Sequence, residues 1–259
     1  MGVESIQFND VRPDISVVVP LLDEERNVEP LHAELTSVLA ALGLTYEIIM
    51  VDDGSRDATF ERLAELQRCD PVVRVVRFQR NYGQTAAFAA GFARARAPLI
   101  VTVDGDLQND PRDIPGMLRL AATHDVVVGW RRQRKDSFVT RHVPSVVANW
   151  LIGLITGIRL HDNGCSLKVF RAEVVKPLKL RHGMHRYLPA LASQLGPRVT
   201  EMEVTHRPRQ HGRSKYGLSR TFRVIADLVS LRRLMREALE GEAPAEPLYE
   251  IREVREATA

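Results

Sequence analysis

Cysteine is scarce: Cys69 and Cys165 are the only two in 259 residues, far apart and in no metal-ligand spacing. That excludes a disulfide framework and a thiolate metal site, and it fits a reducing compartment with free thiols. Aromatic residues make up 6% of the chain, and the basic segments hold few of them. This argues against a nucleic-acid platform built from stacking rings. No apolar stretch reaches the ~20 residues that cross a bilayer. The longest, 146–158 (VVANWLIGLITGI), is interrupted by Asn149, Gly153, Thr156 and Gly157. The N-terminal MGVESIQFNDVRPD has no basic n-region and no apolar h-region, so no secretory leader is expected. The eight histidines show no HxxxH-type spacing, and PLLDEE follows the first strand where a dinucleotide oxidoreductase would need GxGxxG.

What is there describes an ordinary globular chain. It is 44% hydrophobic and 27% charged, long enough to bury one large α/β core. The formal charge is only +3, but it is unevenly spread. Residues 131–142 hold five Arg or Lys (131, 132, 134, 135, 141) against Asp136, a net +4. Residues 198–223 hold seven against Glu201 and Glu203, a net +5, whereas 232–259 hold five arginines against seven glutamates, a net −2. Basic segments of this kind suit phosphates on a nucleotide or a lipid. Taken singly, each could equally be a solvated face.

Short β-branched runs alternate with segments of helical period. Strands are expected at Ile15–Leu22, Tyr46–Asp53, Val73–Arg80, Leu99–Asp104 and Asp125–Trp130. Helices are expected over Asn27–Leu42, from about Asp57, over Gln84–Ala97 and after Pro111. The alternation predicts an α/β fold with a mostly parallel, doubly wound sheet flanked by helices on both faces. Ligands of such sheets bind beyond the carboxyl ends of the strands, which here carry Asp52, Asp53, Asp104, Asp106 and Arg131. The second half predicts a strand at Ser166–Phe170, a helix over His185–Leu195 and a strand over Glu201–Arg209. A basic loop at 211–217 (HGRSKYG) and a helix over Leu218–Glu240 follow, then a loose acidic tail beyond Gly241. Val143–Ile158 is amphipathic, with Val143, Val147, Trp150, Leu151, Leu154 and Ile158 along one side. It suits either a core-facing helix or one lying in a membrane surface behind the +4 segment.

The sharpest motif is DGDLQ, 104–108, directly after an apolar strand. Alternate side chains of an extended segment point the same way. Asp104, Asp106 and Gln108 could therefore converge on one hard divalent cation, Mg2+ or Mn2+, shared with substrate phosphates. Such a cation would neutralise a leaving diphosphate. Asp-Gly alone is an ordinary turn former; the weight comes from two more acidic clusters at strand ends, Asp23-Glu24-Glu25 and Asp52-Asp53. Gathered like charges call for a cation or for hydrogen-bond donors, and a nucleotide base and ribose supply donors. In the basic loop, Gly212 and Gly217 bracket 213–216, so that Lys215 can close over a diphosphate. Cys165 reads as a small packed residue.

In order, PLLDEE, VDDGSRDAT, RNYGQTAAFAAGFARA, VDGDLQNDP, VVGWR, DNGCSLKVF, HRYLPA and HRPRQHGRSKYG resemble the family 2 inverting glycosyltransferases of GT-A fold. More narrowly they resemble the polyprenyl-phosphate branch, the dolichol-phosphate mannosyltransferases and undecaprenyl-phosphate glycosyltransferases. The resemblance runs from about Ile15 to Leu228. It implies that Pro20, Leu22, Glu24, Asp52 and Asp53 border the nucleotide, and that Asp104, Asp106 and Gln108 hold Mg2+ or Mn2+. It also implies that Arg131, Arg209 and Lys215, with Arg141 behind them, reach the phosphates of donor and acceptor. Asp162 lies in the acceptor-side motif as a contact or base. The implied reaction is inverting transfer of a sugar from GDP-mannose or a UDP-hexose to a polyprenyl phosphate. A lipid acceptor implies a cytoplasmic protein peripherally attached to the membrane face, through the membrane surface itself or an integral membrane partner. Nucleic acid is not an implied partner, and oligomerisation stays open. The implied organisation is an extension at 1–14, a catalytic GT-A domain at 15–228, and a helix end with charged tail at 229–259. Leu22 stands where an aromatic is frequent, and Asp23 where Asn is frequent. Many relatives continue into membrane-spanning helices after the loop matched by SKYG, where this chain has a charged tail. The alternative is a soluble family 2 transferase acting on a sugar or protein hydroxyl; a basic nucleic-acid-binding domain is a distant third.

Overall fold

A computed structural model describes residues 12–132, 152–154, 156–181, 183–192, 195–209, 231–240 and 248–256. Its strands are β1 (Ile15–Leu21), β2 (Tyr46–Asp52), β3 (Val73–Phe78), β4 (Leu99–Thr102), β5 (Val126–Trp130), β6 (Lys168–Arg171), β7 (Val199–Glu203) and β8 (Ile251–Arg255). They form one sheet in the order β7-β5-β6-β4-β1-β2-β3-β8. The helices are α1 (Val28–Ala40), α2 (Thr59–Cys69), α3 (Gln84–Arg94), α4 (Ile114–Ala121), α5 (Ala172–Val175), α6 (Leu188–Ala192) and α7 (Leu231–Glu240).

The predicted α/β fold is present, and β4, β1, β2 and β3 pair in parallel. Their near-continuous apolar runs follow from burial on both faces. Ile48 and Met50 of β2 join Val17, Val19, Leu31, Leu35 and Leu63 in one layer. The alternate residues Ile49 and Val51 join Val18, Val76 and Phe88 in the other. Helix α1 turns Val28, Leu31, Leu35 and Leu39 inward at the 3.6-residue period. No described helix is long and apolar enough to cross a membrane.

The sheet is mixed where local pattern could not say so. Strand β6 lies between β4 and β5 and is antiparallel to both, and β7 is parallel to β5. The expectation of a loose tail beyond Gly241 is corrected. Strand β8 pairs antiparallel with β3, and Tyr249 stacks on Phe78 with ring centroids 4.9 Å apart. The physical reason is the edge of β3, whose backbone donors and acceptors need a partner. An acidic composition hid a strand whose half-buried positions alternate with exposed Arg252 and Val254.

Other boundaries shift slightly. The helix expected from His185 opens as a 3-10 turn (Met184–Tyr187) before α6, and the strand expected at 201–209 is β7 followed by extended chain. Of the expected helix at 143–158, Ile152 is buried and Leu154 is 70% exposed. Residues 143–151, including Trp150, lie outside the described residues, as do Arg141 and the basic loop with Lys215.

At the amino ends of the strands a buried charge cluster ties five segments together. Glu47 is 1% exposed. It accepts from Ser16 Oγ (2.6 Å), Arg96 N (2.7 Å), Arg74 Nη1 (2.7 Å) and Arg96 Nε (3.0 Å). Arg74 also reaches the Arg94 carbonyl (2.8 Å) and Glu256 (2.5 Å) after β8. Burial alone would raise the Glu47 carboxyl, but these donors outweigh it and hold the group below its ordinary 4.5.

Two outcomes follow. Glu47 has a depressed folded-state pKa, so its contribution is present above the unfolded value and is lost as pH falls through the folded one. The stability advantage of wild type over Glu47→Gln, read from urea midpoints, should be constant above about pH 5 and shrink below it. Tyr249→Ala should cost about 2 kcal/mol of unfolding free energy through the lost Phe78 stack and burial. Unchanged unfolding would return residues 248–256 to a loose tail.

Candidate active site

The acidic clusters lie together at the carboxyl ends of β1, β2 and β4, as the sheet rule requires. Two of the three are largely satisfied by neighbouring loops. Asp23 accepts from Arg56 N (2.8 Å), while Asp23 N donates to Ser55 Oγ (2.9 Å). Glu25 accepts from Ala58 N (3.1 Å), and Asp57 accepts in return from Glu25 N (3.2 Å). These bonds sew the loop after β1 to the start of α2. Asp52 is fully buried, accepts from Ser55 N (3.0 Å) and lies 3.6 Å from Arg77 Nε. Burial pushes its carboxyl up, against those partners. Asp53 accepts from Tyr82 N (2.7 Å) and Gly83 N (2.9 Å), which fixes the turn that starts α3. Gly54 permits this arrangement: its φ is +72°, and a Cβ there would run into the Arg80 and Asn81 backbone.

The third cluster is different. Gly105 packs so closely on β1 that a Cβ would come within 2.9 Å of the Leu21 side chain and 3.1 Å of the Pro20 carbonyl. Leu107 is held at φ +60°; Leu107 and Asp23 (φ +48°) are the non-glycine residues at positive φ among those described. Both belong to loops of this site, where backbone strain is commonly stored. Asp104 Oδ1 accepts from Gln84 Nε2 (2.7 Å), and Asp104 N donates to Asn109 Oδ1 (3.3 Å). Asp106 is 8% exposed and accepts from Gln108 N (3.2 Å) and Arg209 Nη2 (2.6 Å). Burial, and then the Asp104 charge, push the Asp106 carboxyl up to about 6 even with Arg209 beside it. Gln108 Oε1 is 3.5 Å from the same Arg209 nitrogen.

Two carboxylates and an amide oxygen form a hard donor set, which suits a divalent cation completed by phosphate oxygens. No three His, Cys, Asp or Glu side chains form a ready cage among the described residues. The donor set fits a cation shared with substrate rather than a closed protein site. Glu24 lies on the same side: its Oε1 is 3.6 Å from Arg209 Nη1, and its Oε2 accepts from Asn27 Nδ2 (2.5 Å). Pro20 is buried and Leu22 half-buried at the end of β1.

Arg131 and Asp162 meet each other. Arg131 Nε donates to Asp162 Oδ2 (2.7 Å) and Nη2 to Oδ1 (3.0 Å), with side-chain exposures of 16% and 5%. Two of the fork's three nitrogens are thus committed inside the protein. Through this fork Asp162 ties the 161–164 segment to the end of β5. Lys168 lies behind this pair, fully buried, with its amine on the Cys165 carbonyl. Burial pushes the ammonium down, while the nearby Asp162 charge works the other way.

Three supporting residues carried no assigned role in the sequence. Gln84 holds Asp104; it belongs to the RNYGQTAA stretch, whose spacing to the DGD motif is invisible without the fold. Asn109 joins Asp104 to Ser166 Oγ (2.8 Å). Asp110 binds Arg207 (2.6 Å) and Arg112 (2.6 Å), well below the ordinary carboxylate range because those donors outweigh burial.

A protein-family model, Glycosyl transferase family 2, matches residues 16–178. A dodecaprenyl-phosphate galacturonate synthase of Rhizobium johnstonii is 49% identical over 228 residues, covering 86% of this chain and 68% of that protein. An undecaprenyl-phosphate 4-deoxy-4-formamido-L-arabinose transferase of Pseudomonas aeruginosa is 38% identical over 218 residues, covering 83% and 64%. The chain thus spans about two thirds of the length of these relatives. Glucosyl-3-phosphoglycerate synthase from Mycobacterium tuberculosis, solved with Mn2+, uridine diphosphate and glucosyl-3-phosphoglycerate, superposes with a TM-score of 0.65. Its sequence identity is 16%, and the match covers 94% of this chain and 90% of that one. At that identity the likeness concerns the fold.

The Arg131–Asp162 pair generates a prediction. Asp162→Ala should cost about 3–5 kcal/mol in denaturant unfolding, because it strands a largely buried guanidinium. Arg131→Lys should cost less, since it keeps the charge and loses the fork. A stability loss below 1 kcal/mol in Asp162→Ala would mean that the pair is not structural.

Proposed function

The chain belongs to glycosyl transferase family 2, which makes it a glycosyltransferase, and we propose that it transfers a sugar, with inversion, from a nucleotide diphosphate to a polyprenyl phosphate. The observation that carries this reading is the DGD strand end. Arg209 links Asp106 to Glu24, and Asp104, held by Gln84, is close enough for its charge to raise the Asp106 carboxyl. A divalent cation, Mg2+ or Mn2+, held there by Asp104, Asp106 and Gln108 would supply charge neutralisation to a leaving diphosphate. Arg209 supplies a planar fork of donors to the same anion. The nucleotide moiety is assigned to the ends of β1 and β2, with Pro20, Leu22, Glu24, Asp52 and Asp53 as its border.

The acceptor assignment is supported by two relatives that are named for polyprenyl-phosphate products. It is also chemically economical. A hydroxyl acceptor must lose a proton and needs a base, whereas a phosphate is already an anion. Asp162, the acidic candidate on the acceptor side, is tied to Arg131. Repulsion between acceptor phosphate and donor diphosphate is the remaining electrostatic problem, and Arg131, Arg209 and Lys215 are the cations assigned to it. A lipid acceptor implies work at a membrane surface on the cytoplasmic side. Segment 131–158 is proposed as the contact, with Leu154 exposed on it.

The test is transfer by purified protein from UDP- and GDP-sugars, with UDP-galacturonate among them, to a polyprenyl phosphate or a sugar hydroxyl. It is run with Mn2+ or with EDTA. Phosphate acceptors should be glycosylated only with metal, and Asp104→Ala and Asp106→Ala should each lower the rate at least about a hundredfold while remaining folded. Full activity of either variant in EDTA overturns the cation assignment. Transfer to hydroxyls alone favours the alternative acceptor class.

A further inference from the structure

The chain after β7 crosses the end of β4 under unusually tight control. Val204 N donates to the Trp130 carbonyl (3.0 Å), and Thr205 N donates to Asp113 Oδ2 (2.7 Å). His206 forms an isolated antiparallel bridge with Asn109, and Arg207 N donates to the Gln108 carbonyl (2.8 Å). The Arg207 guanidinium spans Glu34 (2.8 Å) and Asp110 (2.6 Å). These contacts carry the chain to Arg209, whose Nη2 lies 2.6 Å from Asp106 Oδ2 and 3.5 Å from Gln108 Oε1. Its Nη1 lies 3.6 Å from Glu24 Oε1.

The two aspartates are therefore held by unlike partners. Asp104 has a neutral donor, the Gln84 amide, on one oxygen, with the Arg131 charge acting from farther off. Asp106 has a full positive charge on Oδ2. A divalent ion on the same carboxylate would lie close beside the guanidinium, whose Nη2 is 2.6 Å from Oδ2. Repulsion between the two cations weakens the binding of either beside the other.

We propose that Arg209 is the internal counter-cation of the Asp106 carboxylate, exchanged for the divalent ion when a nucleotide diphosphate arrives. The proposal rests on the reading of the DGD strand end as the cation site. Asp104 is the preset ligand and Asp106 the gated one. A diphosphate offers Arg209 substitute anionic oxygens, draws it off Oδ2 and opens that oxygen to the metal. Metal and diphosphate affinities are then coupled through Arg209, and the coupling is reciprocal. The consequence runs against the usual expectation for a binding-site arginine: its removal strengthens metal binding in the absence of nucleotide.

The experiment titrates Mn2+ into the full chain and reads free Mn2+ by electron paramagnetic resonance, first without nucleotide and then with saturating UDP. Circular dichroism and melting temperature verify folding. Without UDP, Arg209→Ala should bind Mn2+ about tenfold more tightly than wild type, with Arg209→Lys close to wild type. With UDP the gain should shrink or reverse, because the variant has lost its own phosphate contact. Equal or weaker Mn2+ binding by folded, nucleotide-free Arg209→Ala overturns the proposal. Asp106→Ala separates the two readings. If it loses Mn2+ while Arg209→Ala matches wild type, only the counter-cation role fails. If it binds Mn2+ as wild type does, the cation site itself is misassigned and both readings fall.

Discussion

Asp104 and Asp106 carry like charges at the end of a strand that is covered on both faces, where water cannot fully screen them. Most of the surrounding architecture supplies donors or cations to that pair. Gly105 lets the strand end lie against β1, which draws Glu24 into the same space. Helix α3 begins where Gln84 reaches Asp104, and its start is held by Asp53. The chain after β7 is pinned residue by residue until Arg209 meets Asp106. A site built this way has clustered acidic groups and cations within reach, the balance that an anionic substrate and a metal would complete.

The other acidic residues near the site divide between two physical roles. Asp23, Glu25, Asp53 and Asp57 satisfy backbone N–H groups of turns and helix starts, the commonest use of short acidic side chains there. Glu24 and Asp106 are directed toward Arg209 instead. Acidic clusters at three strand ends thus do not mean three clusters of ligands. Part of the charge organises the loops so that the remainder is held in position.

The opposite end of the sheet is fixed by a different device. Glu47 sits among Ser16, Arg74 and Arg96, and Glu256 extends the network to the strand that seals the β3 edge. A buried carboxylate of this kind is tolerable only when several donors meet it. This network therefore lies at the end of the sheet opposite the proposed site.

Local pattern was enough to locate the first five strands and the helices between them, because each apolar run and each helical stripe is legible within about a dozen residues. It also located the DGD motif at a strand end, since Asp104 directly follows LIVTV. Register, edge pairing and side-chain partners needed the folded chain. Strand β6 enters between β4 and β5, and β8 closes on β3, because open sheet edges were available there, and no local period encodes an edge. Arg131 was readable as a cation, but not as Asp162's partner 31 residues away. Arg209 was readable as basic, but not as the group on Asp106, from which it is separated by 103 residues. The amino-acid sequence alone determined which chemistry is present and at which strand ends. Only tertiary structure decided which charges neutralise one another, because that depends on distances between segments whose separation along the chain carries no information about space.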